Sequence, residues 1–367
     1  MSSPPTVFVH EFISGGGWPD AGLPPGLTGE GFAILYALLA DFQAWGAVRT
    51  ITTLDTRLRA RHVELPATEV VEVAPGEYEQ SFRSILAGCD AALIVAPETG
   101  GLLARLSTIA LQAGVSLLGS SPKAITLAGN KAACYHIFRR AGLPTPRTRI
   151  VSPASASRAA AEIGYPLVVK PLDGVGCEGL SKVNCTSELE PALQFARKAS
   201  QRKQILLQRF VTGNHLSVSL LASETQILPL SLNGQCIETG YPFRYQGGIV
   251  PFPHPDGKQA LELARLAASL LPGLRGYFGV DLVLGQQSAY LIEINPRMTT
   301  SYIGLRRVLQ ANLVQLIWVA CLHGILPGHI ELKGQALFSK DDPLRVQICS
   351  TQTTRQMHLN VLPTPER

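Results

Sequence analysis

Asp281-Leu-Val-Leu284, a polar break, and Tyr290-Leu-Ile-Glu-Ile-Asn-Pro-Arg297 decide how this chain is read. Two apolar runs flank Gly285-Gln-Gln-Ser288, which predicts a β-hairpin. Side chains alternate along a strand, so Glu293 and Asn295 share a face. With the turn centred near Gln287, Asp281 lies across from Glu293 and the oxygen donors of all three residues converge. Such a set suits Mg²⁺, which proteins hold through a few carboxylates plus substrate phosphates. Two solvated edge carboxylates are the plain alternative, and the rest of the chain must weigh between them.

The 367 residues are enough for two or three domains and a large core. Hydrophobic residues make up 46% and charged residues 16%, which excludes a disordered chain. The net charge is +5, with Lys and Arg scattered and no basic run interleaved with aromatics. That argues against a nucleic-acid partner and agrees with a phosphate-bearing ligand. Seven cysteines, at 89, 134, 177, 185, 236, 321 and 349, form no C-x-x-C pair. Reduced thiols and a cytoplasmic location are expected. Met-Ser-Ser-Pro-Pro leads into a strand without a cationic, leader-like segment, so no signal peptide is expected. Leu313 to Leu326 contains Gln315 and His323 and is too short and polar to span a bilayer, so no membrane partner is expected.

From the N-terminus, Thr6 to Phe12 reads as a buried strand ending in the glycine loop Ile13-Ser-Gly-Gly-Gly-Trp18. Gly31 to Gln43 has a helical apolar pattern in Phe32, Leu35, Leu38, Leu39 and Phe42. Strands at Val48 to Thr53, Ala91 to Ala96 and Val115 to Leu118 alternate with helices at Tyr78 to Leu86 and Leu102 to Ala113. This alternation predicts a parallel α/β sheet over residues 1–121. Ligands of such sheets bind beyond the strands' carboxyl ends, where Ser14 to Gly17 and Glu98 to Gly101 fall.

Pro122 to Leu143 reads as a helical pair, and Pro144-Thr-Pro146 opens a linker. Residues 122–330 then read as α+β, largely antiparallel. Helices are expected at Ser155 to Ile163 and Glu188 to Ala199, and strands at Leu167 to Lys170, Leu180 to Val183, Ile205 to Phe210, Leu216 to Ala222 and Leu228 to Ile237. Lys258 to Leu271 is an amphipathic helix with Leu261, Leu263, Leu266 and Leu270 as its expected inner residues, and Asn312 to His323 is a buried helix. Residues 331–367 form an extension whose pattern fades from about Asp341, either an added strand or a loose tail.

Asp173-Gly-Val-Gly-Cys-Glu-Gly179 fits G-x-G-x-x-G, but a strand follows it where a dinucleotide fold needs a helix. A glycine hairpin of this kind, with Gly174, Gly176 and Gly179, can close over nucleotide phosphates; an ordinary flexible hairpin is the alternative. Lys170 ends the preceding strand and can point at the same phosphates. Gln208-Arg-Phe-Val211 ends a strand whose backbone can meet adenine, and His215 can reach ribose.

The order Lys131, Lys170-Pro, glycine loop, Gln208-Arg-Phe-Val, Asp281, Glu293-x-Asn295-x-Arg297 resembles the ATP-grasp superfamily over residues 122–330. The resemblance implies an α/β domain followed by an α+β fold of two lobes that hold ATP between them, 147–212 being the smaller clamping lobe. It implies that Lys131 and Lys170 contact the phosphates, that Gln208, Phe210 and Val211 line the adenine hinge, and that Asp281, Glu293 and Asn295 hold Mg²⁺, with Mn²⁺ as a substitute. Arg297, with Lys170, would neutralise the reacting phosphoryl and acyl groups. Two departures stand out, since many members carry glutamate where Gln208 and His215 stand. The implied reaction turns a carboxylate into an acyl-phosphate with ATP, after which an amine displaces phosphate; charge neutralisation carries that chemistry.

Phe8-Val-His-Glu11-Phe-Ile-Ser-Gly-Gly-Gly17 and Asn295-Pro-Arg-Met-Thr-Thr-Ser-Tyr-Ile-Gly-Leu305 resemble the ATP-grasp enzymes that join glutamate to tyramine in methanofuran biosynthesis. That resemblance implies a ligase forming a γ-glutamyl amide for a furan one-carbon carrier. Its substrates would be an amino-acid carboxylate and a small amine, and a homodimer is compatible with it. Thr299, Thr300 and Ser301 are candidates for an amino-acid carboxylate, and Glu11 and Glu98 for an ammonium group; each is otherwise a loop-capping residue. Ser14, Gly15 and Gly16 are either a substrate-binding turn or a tight strand exit. A dipeptide or D-alanine-type ligase is the neighbouring reading, and a nucleotide-binding regulator without catalysis the contrasting one.

Overall fold

The computed structural model describes residues 3–357 apart from 20, 21, 62, 63, 175, 201, 203, 287, 341–344 and 350–353. Strands β1 (Thr6–Glu11), β2 (Arg49–Asp55), β3 (Glu69–Val73), β4 (Ala91–Val95) and β5 (Ser116–Leu117) form a parallel sheet in the order β3-β2-β1-β4-β5. Helices α1 (Pro25–Trp45), α2 (Tyr78–Leu86) and α3 (Leu102–Gln112) connect them. From β1 the chain moves to one side for β2 and β3, then returns to the other side for β4. The crevice beyond the carboxyl ends of β1 and β4 is therefore the switch point of the sheet. The edge strand β3 is missing from the sequence reading because only Val73 of its side chains is fully buried, so it has no apolar signal.

Helices α4 (Pro122–Ala128) and α5 (Lys131–Arg140) follow. Asn130 caps α5 by accepting from the amides of Ala132 and Ala133, as capping asparagines do. Strands β6 (Thr148–Val151), β7 (Leu167–Pro171), β8 (Ser181–Val183) and β9 (Ile205–Arg209) make an antiparallel sheet in the order β6-β9-β7-β8, covered by α6 (Ala156–Ile163) and α7 (Leu189–Lys198).

The large antiparallel sheet contains β10 (Gly213–Ala222), β11 (Ile227–Glu238), β12 (Arg244–Val250), β13 (Gly276–Gly285), β14 (Ala289–Asn295), β15 (Gln335–Ser339), β16 (Arg345–Cys349) and β17 (Thr354–Met357). Their order is β14-β13-β10-β11-β12-β15-β16-β17. The fading tail thus supplies added strands where it is described. The expected turn centre, Gln287, lies outside the described residues, but the β13–β14 register does set Asp281 opposite Glu293. Strand β12 escaped sequence reading because Gly247 and Gly248 interrupt its apolar run.

Helix α8 (Gly257–Ser269) packs on this sheet through Ala260, Ala264, Ala267 and Ala268 together with Leu263. The expected leucine face is corrected here. Leu266 is 40% exposed, and Leu261 and Leu270 are only partly buried. The small side chains form the inner face.

Helices α9 (Ser301–Val308) and α10 (Leu313–His323) pack on α1. Phe32, Leu35, Leu38 and Leu39 of α1 share one core with Tyr302, Leu305 and Ile317. Within it Asp41 accepts from Arg306 Nε at 2.9 Å and from the Tyr302 hydroxyl, while Asn312 Nδ2 donates to the Asp41 carbonyl at 2.8 Å. This polar knot fixes α1 against α9.

Candidate active site

A cleft runs between the four-stranded lobe and the large sheet, and the β13–β14 pair forms its floor. A register shift after Asp281 keeps that residue facing Glu293. Asn295 Nδ2 donates to Asp281 Oδ2 at 3.0 Å, and Gln235 Nε2 of β11 donates to Oδ1 at 3.1 Å. Lys131, the first residue of α5, puts Nζ 2.8 Å from Glu293 Oε2. A cation at a helix N-terminus opposes the helix dipole, and Glu293 offsets that cost. Lys170 at the end of β7 donates to Gln208 Oε1 at 3.1 Å, and Gln208 Nε2 donates to Thr148 Oγ1 at 2.9 Å. Gln208 thus orients a buried lysine as well as ending the hinge strand.

These charges adjust one another. Burial drives Lys170 down to about 8; Glu293 resists that and Lys131 adds to it. Burial also opposes charge on Lys131, but Glu293 beside it keeps its pKa raised. Burial, and then the Glu293 carboxylate, push Asp281 up. Glu293 is held below its ordinary value against burial by Lys131 and Lys170.

The loop between β7 and β8 is strand–loop–strand, as expected. Gly176 has φ 61 and Cys177 φ 67, so the chain passes through the left-handed region over the cleft. Gly174 and Gly176 line the cleft. Gly179 sits behind it, where a Cβ would come 2.7 Å from Ala199 Cβ, so it serves the packing of α7. Val175 lies outside the described residues. Phe210, Val211 and His215 line the other end of the cleft, and Lys182 Nζ stands 4.3 Å over the Phe210 ring. His215 is half-buried, and its burial lowers its pKa.

A second cavity of about 600 Å³ opens at the switch point of the parallel sheet, lined by Glu11, Trp18, Ile34, Pro97 and Ser200 among others. Here the expectations for the first domain change. Glu11 is buried and accepts from the Ile13 amide at 3.1 Å, the Ser14 amide at 2.8 Å and the Ser14 hydroxyl. It caps its own loop, and Gly31 makes room for it, since a Cβ there would fall 2.5 Å from the Glu11 carboxyl carbon. Ser14, Gly15 and Gly16 line neither cavity. Gly15 packs on Thr53 and His10, and Gly16, with φ 93, on Val73, so the loop is a tight strand exit. Glu98 pairs with Arg297, Oε2 to Nε at 3.1 Å, leaving Oε1 without a hydrogen bond.

Thr299, Thr300 and Ser301 line the cleft. Thr299 Oγ1 lies 3.0 Å from Tyr277 Oη and 3.2 Å from Ser301 Oγ, and Thr300 donates to Glu30. Glu30 pairs with Lys340 at 2.8 Å. Sequence reasoning missed Glu30, Lys340, Gln235 and Tyr245, all at this site. Glu30 stands in a Gly-Glu-Gly run, and Lys340 borders the segment whose pattern fades, so neither carries a local signal.

Residues 128–301 match the family described as ATP-grasp domain, and residues 48–125 match the pre ATP-grasp 3 domain. The tyramine–L-glutamate ligase of Methanocaldococcus jannaschii is 33% identical over 82% of this chain and 84% of its own length. That of Methanocaldococcus fervens is 34% identical over 85% and 92%. The chain belongs to the ATP-grasp family. A crystal structure of an ATP-grasp superfamily protein from Archaeoglobus fulgidus shares the fold, with a TM-score of 0.68 at 23% identity over 94% of this chain and 99% of that one.

An ATP-grasp ligase is ATP-dependent and uses a divalent cation, and the donor set of this ATP-grasp cleft fits one. Among the described residues no three His, Cys, Asp or Glu side chains gather around one point. Two carboxylates and an amide oxygen remain, an incomplete shell of hard donors of the kind that substrate phosphates complete. Asp281, whose charge is disfavoured beside Glu293, is where a cation would relieve the site. Among the described residues no helix is long and apolar enough to cross a membrane.

Proposed function

We propose that this ATP-grasp ligase activates the γ-carboxyl of glutamate as an acyl-phosphate and joins it to tyramine or a tyrosine-like amine. The observation that carries the reading is the meeting of two cavities at Arg297. One holds the Asp281, Glu293 and Asn295 oxygens with Lys131 and Lys170; the other sets Glu30 beside the apolar Trp18, Leu27 and Ile34. A phosphoryl-transfer centre thus opens onto a space suited to an aromatic amine. The similarity to tyramine–L-glutamate ligases over most of the chain supports the same pair. The accompanying resemblance would put the step in the making of a furan one-carbon carrier.

In this reading the hinge at Phe210 and Val211 meets adenine, His215 meets ribose, and Gly174 and Gly176 cover the phosphates. Lys131 and Lys170 draw charge from the γ-phosphoryl group as the carboxylate attacks it and ADP leaves. Asp281, Glu293 and Asn295 would hold Mg²⁺, or Mn²⁺ in its place, which supplies charge neutralisation at the phosphates. Arg297 faces the acyl carbon and stabilises the oxyanion formed when the amine adds. Thr299 and Ser301 orient the amino-acid substrate.

Phosphate release from Mg-ATP with L-glutamate and a panel of amines, followed by product mass, tests this. A product equal to glutamate plus tyramine or tyrosine minus water is expected. Turnover only with D-alanine or other amino-acid pairs would replace the substrate assignment.

A further inference from the structure

Among the described residues, Glu30, Gly176 and Arg297 line both the nucleotide cleft and the second cavity. Arg297 is itself a cation, paired with Glu98 through Nε, and Gly176 offers only backbone. Glu30 is the carboxylate at the junction. Of the other acids that line the second cavity, Glu11 is held by its own loop, Asp173 accepts from Ser200 Oγ at 2.6 Å and from the Gly100 amide at 3.2 Å, and Glu178 is exposed. None of these three lines the nucleotide cleft, and Glu98 nearby is paired with Arg297. Glu30 is instead held by Lys340, which reaches in from the end of β15, 17% exposed like its partner. The Lys340 amide donates to the Gln246 carbonyl at 2.8 Å, which anchors its backbone, and Nζ lies 5.7 Å from the centre of the Tyr245 ring. An ammonium on an alkyl stem, seated on a carboxylate beside an aromatic ring, is the outline of a protonated primary amine.

We infer that Glu30 is the seat of the amine substrate's ammonium group, and that Lys340 occupies that seat until the amine displaces it. This rests on the carboxylate–amine ligase reading above. The amine arrives as R-NH₃⁺ and passes one proton to the Glu30 carboxylate. Its freed lone pair attacks the acyl carbon. The C–O bond to phosphate then breaks with its electron pair, and the second nitrogen proton leaves with the phosphate. The amide forms with no other reactant. Glu30 is the sixth residue of α1, and the Asp41–Arg306 pair holds that helix against α9, which begins one residue after Thr300. Thr300 donates to Glu30, so the seat is tied directly to the floor of the cleft.

Hydroxylamine separates the two claims, because it is largely uncharged at neutral pH and traps acyl-phosphates as hydroxamates without needing an ammonium seat. The full chain is assayed with Mg-ATP, L-glutamate and either hydroxylamine or tyramine. Glu30→Gln is expected to lower kcat/KM for tyramine about 100-fold, the loss typical of a removed buried charge partner, and to lower hydroxamate formation far less. Equal losses with both nucleophiles, or tyramine turnover left intact, would overturn the seat. Lys340→Met gives an independent reading that does not depend on the folding of the first variant. The KM for tyramine should fall several-fold relative to the KM for hydroxylamine. An unchanged or raised KM would overturn the displacement. No hydroxamate from the unaltered protein with any carboxylate would instead sink the ligase reading itself.

Discussion

Lys131 Nζ lies 2.8 Å from Glu293 Oε2, joining the first turn of α5 to the floor strand of the cleft. The pair sits at the point where two structural demands coincide. A buried ammonium at a helix N-terminus needs an anion, and a buried carboxylate beside Asp281 needs a cation. Glu293→Ala should therefore have two effects. ATP turnover should fall by about 100-fold or more, as expected for a lost electrostatic partner at the reacting phosphates. Stability should fall by about 3 kcal/mol because Lys131 is left unpaired. The double variant Lys131→Met, Glu293→Gln should recover stability in urea titration but not turnover. Recovery of both would make the pair purely structural.

Lys170 gives a pH window. Its folded value is about 8 against 10.5 for the free side chain. Between these values the unfolded chain binds more protons, so the stability cost of burying Lys170 shrinks as pH rises through the window. Nucleotide binding runs the other way, because phosphates favour the ammonium form. The Kd for ATP should be flat below about pH 8 and weaken above it by up to about tenfold per pH unit. Lys170→Arg, which stays charged throughout, should flatten that rise. Isothermal titration from pH 7 to 9.5 reads both; an equal rise in the variant would assign the effect elsewhere.

Asp281 should make cation binding pH-dependent in the opposite sense. Its raised pKa leaves part of the population protonated where an ordinary aspartate is ionised. Affinity for Mn²⁺, followed by its paramagnetic signal in the presence of ADP, should strengthen as pH rises toward neutrality. Asp281→Asn should lose most of that affinity and its pH dependence. A pH-independent affinity in the unaltered protein would contradict the donor assignment.

Asp41 is remote from the chemistry yet holds α1, and with it Glu30, against α9. Asp41→Ala leaves Arg306 without its carboxylate and should cost about 3–5 kcal/mol. Denaturant unfolding measures this directly, and a loss below about 1 kcal/mol would mean the pair behaves as an exposed one.

The hairpin was legible because alternation and turn composition are local. The two-residue period puts Glu293 and Asn295 on one face, but Asp281 meets Glu293 only through the register shift between Asp281 and Leu282, which no local pattern announces. The strand–loop–strand around Gly174 and Gly176 was legible for the same local reason as the hairpin. The partners that complete the site were not legible. Glu30, Gln235 and Lys340 reach the cleft from α1, β11 and the end of β15, and no short pattern links them. Glu11 illustrates the reverse error. Its position at a strand end suggested a ligand, whereas its carboxylate is satisfied by backbone amides of the next turn. Alpha8 shows a subtler one: leucine periodicity marked the helix, but its alanines form the face that meets the sheet.

The most direct test of the central claim uses L-glutamate labelled with ¹⁸O in its γ-carboxyl, incubated with the protein, Mg-ATP and tyramine. An acyl-phosphate intermediate transfers one labelled oxygen to each phosphate released, so ¹⁸O-phosphate should appear in step with ADP. Unlabelled phosphate, or AMP and pyrophosphate in place of ADP, would contradict the account.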